Sequence, residues 1–190
     1  MSPRARRTSK PTALDATVRR LTRMGACSEA LSWLLSLPPD ATPAVAWETC
    51  AAGDWLVWLV VELFWLRKLG TRSQMLLAMC AGAWPACGEA DRPMVHKVIE
   101  YARALAPGSG ADALFILVEL EAELRRDRAK LSERAIDAAM AAVVPDEQTA
   151  VVLAMAAGTK SAKQEVAARR VRAAVPWTTV ESALAGVGWS

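Results

Sequence analysis

Few residues of this chain are of the types that carry chemistry, and Glu62 is the first to consider. It lies in a tryptophan-rich stretch, where a buried carboxylate would need a partner. A hydrogen bond from an indole N–H or an ion pair with an arginine would supply one. A buried acid with a raised pKa could instead transfer protons, and a third interpretation places Glu62 in a ligand-facing cleft. No second carboxylate or nucleophile occurs at a spacing typical of a catalytic pair, so catalysis has little support in the sequence.

The histidine, cysteine and glycine residues give no sign of a metal or nucleotide site. His96, the only histidine, is expected on the solvent side of its helix. Cys27, Cys50, Cys80 and Cys87 lack the short spacing of zinc ligands and are expected to be reduced, buried thiols. Neither a phosphate-binding loop nor a dinucleotide fingerprint is present. The sequence therefore predicts a protein that is not an enzyme and holds no metal or cofactor.

Arginine and lysine residues cluster near both ends of the chain, and clusters of this kind attract phosphate groups. The candidate nucleic-acid-binding residues are Arg4, Arg6, Arg7, Lys10, Arg19, Arg20, Arg169, Arg170 and Arg172. The formal net charge is only +3, however, so a solvated tail and a solvated helix face are the other interpretation. Contact with an acidic partner is also consistent with these clusters.

The elements that must position these residues are predicted to be helices. Hydrophobic residues make up 53% of the 190 residues, and many of them are alanine, a strong helix former. Proline, glycine and capping residues divide the chain into segments. The predicted helices cover about 12–24, 28–37, 43–53, 54–69, 71–85, 91–105, 111–144, 146–157 and 161–175. A break near Lys130–Ser132 would divide the longest of them, and the segment after Pro176 could add a short turn.

Three helix starts carry specific signals. Asp54 is predicted to cap the fourth helix, and the segment Thr71–Gln74 has the capping-box pattern at the start of the fifth. Asp91, followed closely by Pro93, is predicted to open the sixth.

About nine helices joined by short loops predict an all-α fold, either an orthogonal bundle or a stack of helical hairpins. Residues 1–11 are predicted to be a disordered basic tail, and residues 12–190 a single helical domain. The longest apolar run, 55–66, is shorter than the roughly 20 residues that a membrane-spanning helix needs. No apolar segment follows the basic start, so the protein is expected to be cytoplasmic and to have no membrane partner.

The helix predicted for 54–69 is apolar on every side. One side of this helix carries Trp55, Trp58, Trp65 and Leu69. The opposite side carries Val57, Val60, Val61 and Phe64. Such a helix is usually buried all round, so it is predicted to be central, with Glu62 in its tryptophan arc. The tryptophans predicted to lie in the core are Trp33, Trp47, Trp55, Trp58 and Trp84. Trp177 and Trp189 could instead be exposed anchors for a partner.

One stretch of the sequence resembles a known family. The run Ala46-Trp47-Glu48-Thr49-Cys50, followed after a short gap by Asp54-Trp55-Leu56-Val57-Trp58-Leu59, is similar to the signature of immunity-protein-like helical domains. These domains occur near bacterial polymorphic toxins and in phage genomes. The family's Ala/Cys-rich helix and Arg-Pro helix start resemble Met79-Cys80-Ala81 and Asp91-Arg92-Pro93. The similarity covers about residues 26–143, and the tryptophan block is its most specific part.

The resemblance implies an all-helical, non-enzymatic protein that neutralises a toxin or a defence factor by binding it. Trp47, Asp54, Trp55 and Trp58 match the motif and are interpreted as determinants of the fold, together with Glu62. The alternative function is that of a phage or bacterial protein that associates with nucleic acid through its basic N-terminal arm and its basic C-terminal helix. The sequence does not predict an oligomeric state.

Overall fold

The computed structural model describes residues 13–67, 71–106, 108–158 and 163–186, and these residues are helical without any strand. The α-helices are α1 Ala13–Arg23, α2 Ser28–Ser36, α3 Pro43–Thr49, α4 Gly53–Arg67, α5 Arg72–Ala83, α6 Arg92–Ala104, α7 Ala113–Asp127, α8 Glu133–Val143, α9 Glu147–Gly158, α10 Gln164–Ala174 and α11 Trp177–Gly186. Short 3₁₀ helices at Trp84–Ala86 and Arg128–Lys130 follow α5 and α7. The all-α class is confirmed. The predicted tail, 1–11, lies outside the described residues.

The predicted number of about nine helices is wrong, because the described residues form eleven. The segment 111–144 contains two helices, since the Ser132 hydroxyl accepts a hydrogen bond from the Ala135 N–H at 3.3 Å and starts α8. The segment after Pro176 forms a helix of its own, α11, in place of a short turn. The orthogonal crossing of the helices stays a prediction.

The described residues fall into two compact units, one up to Thr49 and one from Cys50 onward. In the first unit, α1 packs against both α2 and α3. Leu14 and Leu21 on α1 and Leu34 on α2 are buried. The single domain expected for residues 12–190 stays a prediction.

In the second unit, α5 is the helix with the most neighbours. It packs against α4, α6, α8, α9 and α10. Met75, Leu76 and Ala78, which point to three different sides of α5, are fully buried. A helix with neighbours on most of its sides needs apolar or small residues there, and most of α5 meets that requirement. Its remaining side, which carries Gln74, Leu77 and Ala81, is half-buried.

The prediction that α4 is buried all round is wrong. Val57 and Val61 on one side of α4 are fully buried, whereas Trp55 and Trp58 on the other side are half-buried. The side chains of Phe64 and Trp65, and residue Leu69, lie outside the described part of the structure. Indole rings are large and are seldom completely enclosed, so an apolar arc made of tryptophan remains partly open where an arc of valine does not.

The starts of α4 and α6 also differ from the sequence prediction. Helix α4 begins at Gly53, so Asp54 lies in its first turn and is not the residue that precedes the helix. The N–H of Asp54 donates to the side-chain carbonyl of Gln164 on α10 at 3.0 Å. Helix α6 begins after Asp91 as predicted, but Asp91 makes no side-chain cap to it. The capping box of Thr71 and Gln74 is confirmed, with both reciprocal hydrogen bonds present.

The carboxylate of Asp91 joins two helix starts and is one of the few buried polar groups. It accepts hydrogen bonds from the Ser132 N–H at 2.9 Å, the Ser132 hydroxyl at 3.0 Å and the Gly88 N–H at 3.1 Å. These bonds hold the start of α8 against the start of α6. Because a buried carboxylate is costly unless it is hydrogen-bonded, this arrangement also satisfies the charge.

Glycines allow α4, α5 and α9 to come unusually close together. A Cβ atom on Gly82 would lie 2.5 Å from the carbonyl oxygen of Gly158 and 2.7 Å from a methyl group of Val57. A Cβ atom on Gly158 would lie 2.7 Å from the other Val57 methyl group. Both glycines are therefore required by space alone, whatever their backbone angles.

Replacing Gly82 by alanine is expected to destabilise the protein. Alanine would gain about 0.5–1 kcal/mol in helix propensity. Overpacking against a backbone oxygen that cannot rotate away costs about 1–3 kcal/mol, so the net effect is destabilising. Urea denaturation of Gly82→Ala measures it, and Gly88→Ala is the control, because the nearest atom to its Cβ would be 3.8 Å away. Equal stability of the two variants would contradict the close packing.

Candidate binding surfaces

The tryptophans of the motif contribute to the fold to different degrees. Trp47 is buried as predicted. Four other tryptophans that were predicted to lie in the core are only half-buried: Trp33, Trp55, Trp58 and Trp84. They contact the core without being enclosed by it. Of the two C-terminal tryptophans that could be exposed anchors, Trp177 is half-buried, and Trp189 lies outside the described residues.

Glu62 is half-buried on the tryptophan side of α4, and burial raises the pKa of its carboxyl group. Among the described residues, no hydrogen bond or ion pair reaches this carboxylate, in contrast to the partner that the sequence suggested. Among the described residues, the buried and hydrogen-bonded acid is Asp91, which the sequence marked only as a helix start. Glu62 therefore has the perturbed pKa of a functional acid without a second group beside it, in the described part of the chain, to act with.

The cysteines and the histidine form no reactive cluster within the described residues. Cys50, Cys80 and Cys87 are buried, free thiols, and burial raises the pKa of each. Cys27 is exposed, which corrects the prediction that all four are buried. The exposed His96 places Nε2 3.4 Å from a carboxylate oxygen of the neighbouring Glu100.

The predicted nucleic-acid-binding residues of the first unit are only partly described. Arg4, Arg6, Arg7 and Lys10 lie outside the described residues. Arg19 on α1 is exposed and Arg20 is half-buried. Arg19 and Arg20 alone do not form a phosphate-binding face.

The three arginines predicted on α10 have different surroundings. Arg172 is half-buried, and its Nη1 donates to the carbonyl oxygen of Cys50 at 2.6 Å. The guanidinium carbon of Arg170 lies 5.3 Å from the centre of the Trp84 ring. Arg169 is exposed. Of the predicted cluster on α10, one arginine thus serves the fold, one stacks on an aromatic ring, and one faces solvent.

Three of the large apolar side chains that are exposed in the described residues lie on one side of α7. Leu114, Phe115 and Val118 are 70%, 60% and 58% exposed. Ala122 is also exposed and extends the same side of the helix by one turn, and the exposed Ala111 lies just before the helix begins. These residues, Ala111, Leu114, Phe115, Val118 and Ala122, are called the α7 stripe below.

The opposite side of α7 is packed, which fixes the stripe in place. Leu120 and Leu124 are buried, and α7 packs against α6 and α8. Lys97 on α6 forms ion pairs with Glu123, at a short distance, and with Glu119 at 3.2 Å, and hydrogen bonding to Glu123 raises the pKa of Lys97. The run of apolar residues from 113 to 118 was the sequence signal for the α7 stripe. Which side of the helix stays exposed to solvent, however, depends on tertiary packing.

Comparison with known proteins adds no assignment to these surfaces. No family model matches the chain, and neither a curated protein nor a solved structure matches it. No helix in the described ranges is long and apolar enough to cross a membrane. No group of His, Cys, Asp and Glu side chains in those ranges could hold a metal ion.

Replacing Glu62 by glutamine is expected to stabilise the protein at neutral pH. Because the folded-state pKa is raised, the wild-type protein loses stability as pH rises from the ordinary glutamate pKa through the raised value, and the neutral amide does not. Chemical denaturation at about pH 4 and about pH 8 should show the advantage of Glu62→Gln only at the higher pH. The exposed Glu89→Gln is the control. Parallel pH profiles for Glu62→Gln and the wild-type protein would contradict the raised pKa.

Replacing Arg172 by methionine is expected to lower the free energy of unfolding by about 1.5–3 kcal/mol, because a charged hydrogen bond to the Cys50 carbonyl is lost. Arg169→Met removes the same charge from an exposed position of the same helix and should have little effect. Thermal and urea denaturation of both variants measure the difference. A similar loss in both would show that charge alone, and not the Cys50 contact, stabilises α10.

Proposed function

We propose that the protein is a non-enzymatic, protein-binding helical domain of the immunity or inhibitor type, whose partner is a toxin or a defence factor. The α7 stripe is the observation that supports this proposal. Exposed apolar patches on folded proteins commonly mark protein interaction sites, whereas isolated exposed apolar residues do not. Leu114, Phe115 and Val118 are neighbours on one helix and form a patch.

The stripe is suited to a partner that contributes an amphipathic helix or an apolar groove. Its apolar residues recur at the three- and four-residue spacing by which helices pack against each other. Glu121 and Arg125, each seven residues after a member of the stripe, form an ion pair that bounds it with polar groups at its C-terminal end. Since α7 is already held by α6 and α8, little conformational freedom would be lost on binding.

The immunity-type part of the proposal rests on the sequence resemblance around Trp47, Asp54, Trp55 and Trp58. The burial of Trp47 and the link between Asp54 and α10 are consistent with a motif that determines the fold. The proposal places the protein in the cytoplasm, where its free cysteines would stay reduced.

Association with nucleic acid is the second candidate. The exposure of Arg19 and Arg169 favours it. The bond between Arg172 and the Cys50 carbonyl counts against it, since this guanidinium is committed to the fold. A strong dependence on salt would distinguish phosphate binding from an apolar protein contact.

The proposal is tested by purifying the tagged protein from the cells that make it, with nuclease treatment and in high salt. The wild-type protein is expected to retain a stoichiometric protein partner. The double variant Leu114→Glu/Phe115→Glu should bind that partner at least about tenfold more weakly, since a charge would replace each apolar anchor. Val152→Glu is the matched control, because Val152 is 67% exposed and lies on α9, outside the stripe.

Retention of the partner by the double variant would contradict the role of α7. Recovery of nucleic acid that is lost in high salt and in Arg19→Gln/Arg169→Gln would support the second candidate instead. Circular dichroism of each variant establishes that the helices remain folded.

A further inference from the structure

A cleft of about 240 Å³ opens between α5, α6 and α10, apart from the α7 stripe. Its apolar wall includes Leu77 from α5 and Ile99 from α6. Trp84, from the 3₁₀ helix after α5, adds an aromatic surface. Cys80 also lines the cleft, but it is fully buried, and burial raises the pKa of its thiol, so it remains a protonated, unreactive group.

The charged groups that line the cleft are both arginines. Arg103 comes from α6 and Arg170 from α10, and both are exposed. The lining residues include no carboxylate. Within the described part of the chain, neither guanidinium is paired with a carboxylate, in contrast to Arg125 on α7, which is paired with Glu121.

The side chains of Trp84 and Arg170 are preorganised by contacts within the protein. The 3₁₀ turn of Trp84, Pro85 and Ala86 closes with a hydrogen bond from the Cys87 N–H to the Trp84 carbonyl at 3.1 Å. Proline restricts the backbone of this turn. The guanidinium carbon of Arg170 lies 5.3 Å from the Trp84 ring centre, and stacking limits the orientations of the guanidinium while leaving its N–H donors available.

We propose that this cleft binds a small organic anion, in which a carboxylate or a phosphate is joined to a flat or branched apolar body. The guanidinium groups of Arg103 and Arg170 would bind the anion, since planar N–H pairs match the oxygens of carboxylates and phosphates. The wall formed by Leu77, Ile99 and Trp84 would cover the apolar body. Ligand pockets in proteins have about this composition, with apolar walls and a few polar groups that orient the ligand.

The size of the cleft favours a ligand no larger than an amino acid or a mononucleotide. Its volume of about 240 Å³ lies just below the roughly 300–1,000 Å³ of typical small-molecule pockets. A single anionic group joined to a compact body that carries a ring is of a size suited to this space. The proposal is independent of the protein-binding function assigned to the α7 stripe.

Isothermal titration calorimetry with two anions tests the proposal and separates the two sources of charge. Adenosine 5′-monophosphate represents a phosphate ester, and indole-3-acetate represents a carboxylate. Adenosine and indole-3-acetamide are their neutral controls. Saturable binding of at least one anion, with a dissociation constant of about 1 mM or tighter and no saturation by its neutral control, is expected. The anion that binds identifies the phosphate or the carboxylate as the preferred group, and binding of both identifies the shared charge.

Variants then locate the binding. Arg103→Gln/Arg170→Gln should weaken it at least about tenfold, because both anion-binding side chains are removed, each from an exposed position. Arg169→Gln, on the same helix but not in the cleft lining, should leave it unchanged. In NMR spectra, the indole N–H signal of Trp84, assigned by its loss in Trp84→Phe, should shift on titration of the wild-type protein.

Absence of saturation by either anion would overturn the proposal. So would equal binding by the wild-type protein and the double variant, or equal weakening by Arg169→Gln, since the latter would indicate attraction by net charge alone. None of these results depends on whether the α7 stripe binds a protein.

Discussion

The close approach of α9 to α5 and α4 at Gly82, Gly158 and Val57 is the constraint on which the rest of the second unit depends. A single Cβ atom at either glycine would overlap a neighbouring helix, so the central position of α5 requires glycine at both places. The same device places α10: a Cβ on Gly53 would lie 2.5 Å from the Cβ of Ala167. Helices brought together by small residues leave little freedom in the positions of the side chains at their edges. The walls of the cleft and the packed side of α7 therefore follow from contacts made elsewhere in the fold.

Small residues let the helices approach closely, and polar side chains then join the ends of the helices to one another by hydrogen bonds. Arg72, at the start of α5, donates to the carbonyl oxygens of Ala141, Ala142 and Val144 at the end of α8. These carbonyls have no partner within their own helix, and a cation is favourable near a helix C-terminus. Asp91 performs the corresponding task at the starts of α6 and α8. Apolar packing alone tolerates sliding between helices, whereas such directional bonds define one arrangement.

The sequence predicted features that depend on neighbouring residues and failed where distant residues decide. Helix α1 ends at Arg23, close to the predicted boundary at residue 24 and just before Gly25 with its φ of +86°, and Thr71 and Gln74 form the expected capping box. The central position of α5 was not predictable from periodicity, because α4 is the more hydrophobic helix. Only the packed structure shows that α5, and not the tryptophan-rich α4, has neighbours on most of its sides. The cleft joins residues from Leu77 to Arg170, so local sequence holds no sign of it.

The arginines show why composition could not identify the functional surface. Arg72 and Arg172 bond to backbone carbonyls, Arg125 pairs with Glu121, and Arg103 and Arg170 line an apolar cleft without a carboxylate in its lining. In the sequence these residues are equivalent charges, and the net charge of +3 adds them all together. A guanidinium that already has its acceptors can bind an external anion only by giving them up, whereas one without a carboxylate partner gains the whole interaction. Which arginines can bind a ligand is therefore decided by the packing of the helices that carry them, and charge clustering along the chain is a poor guide.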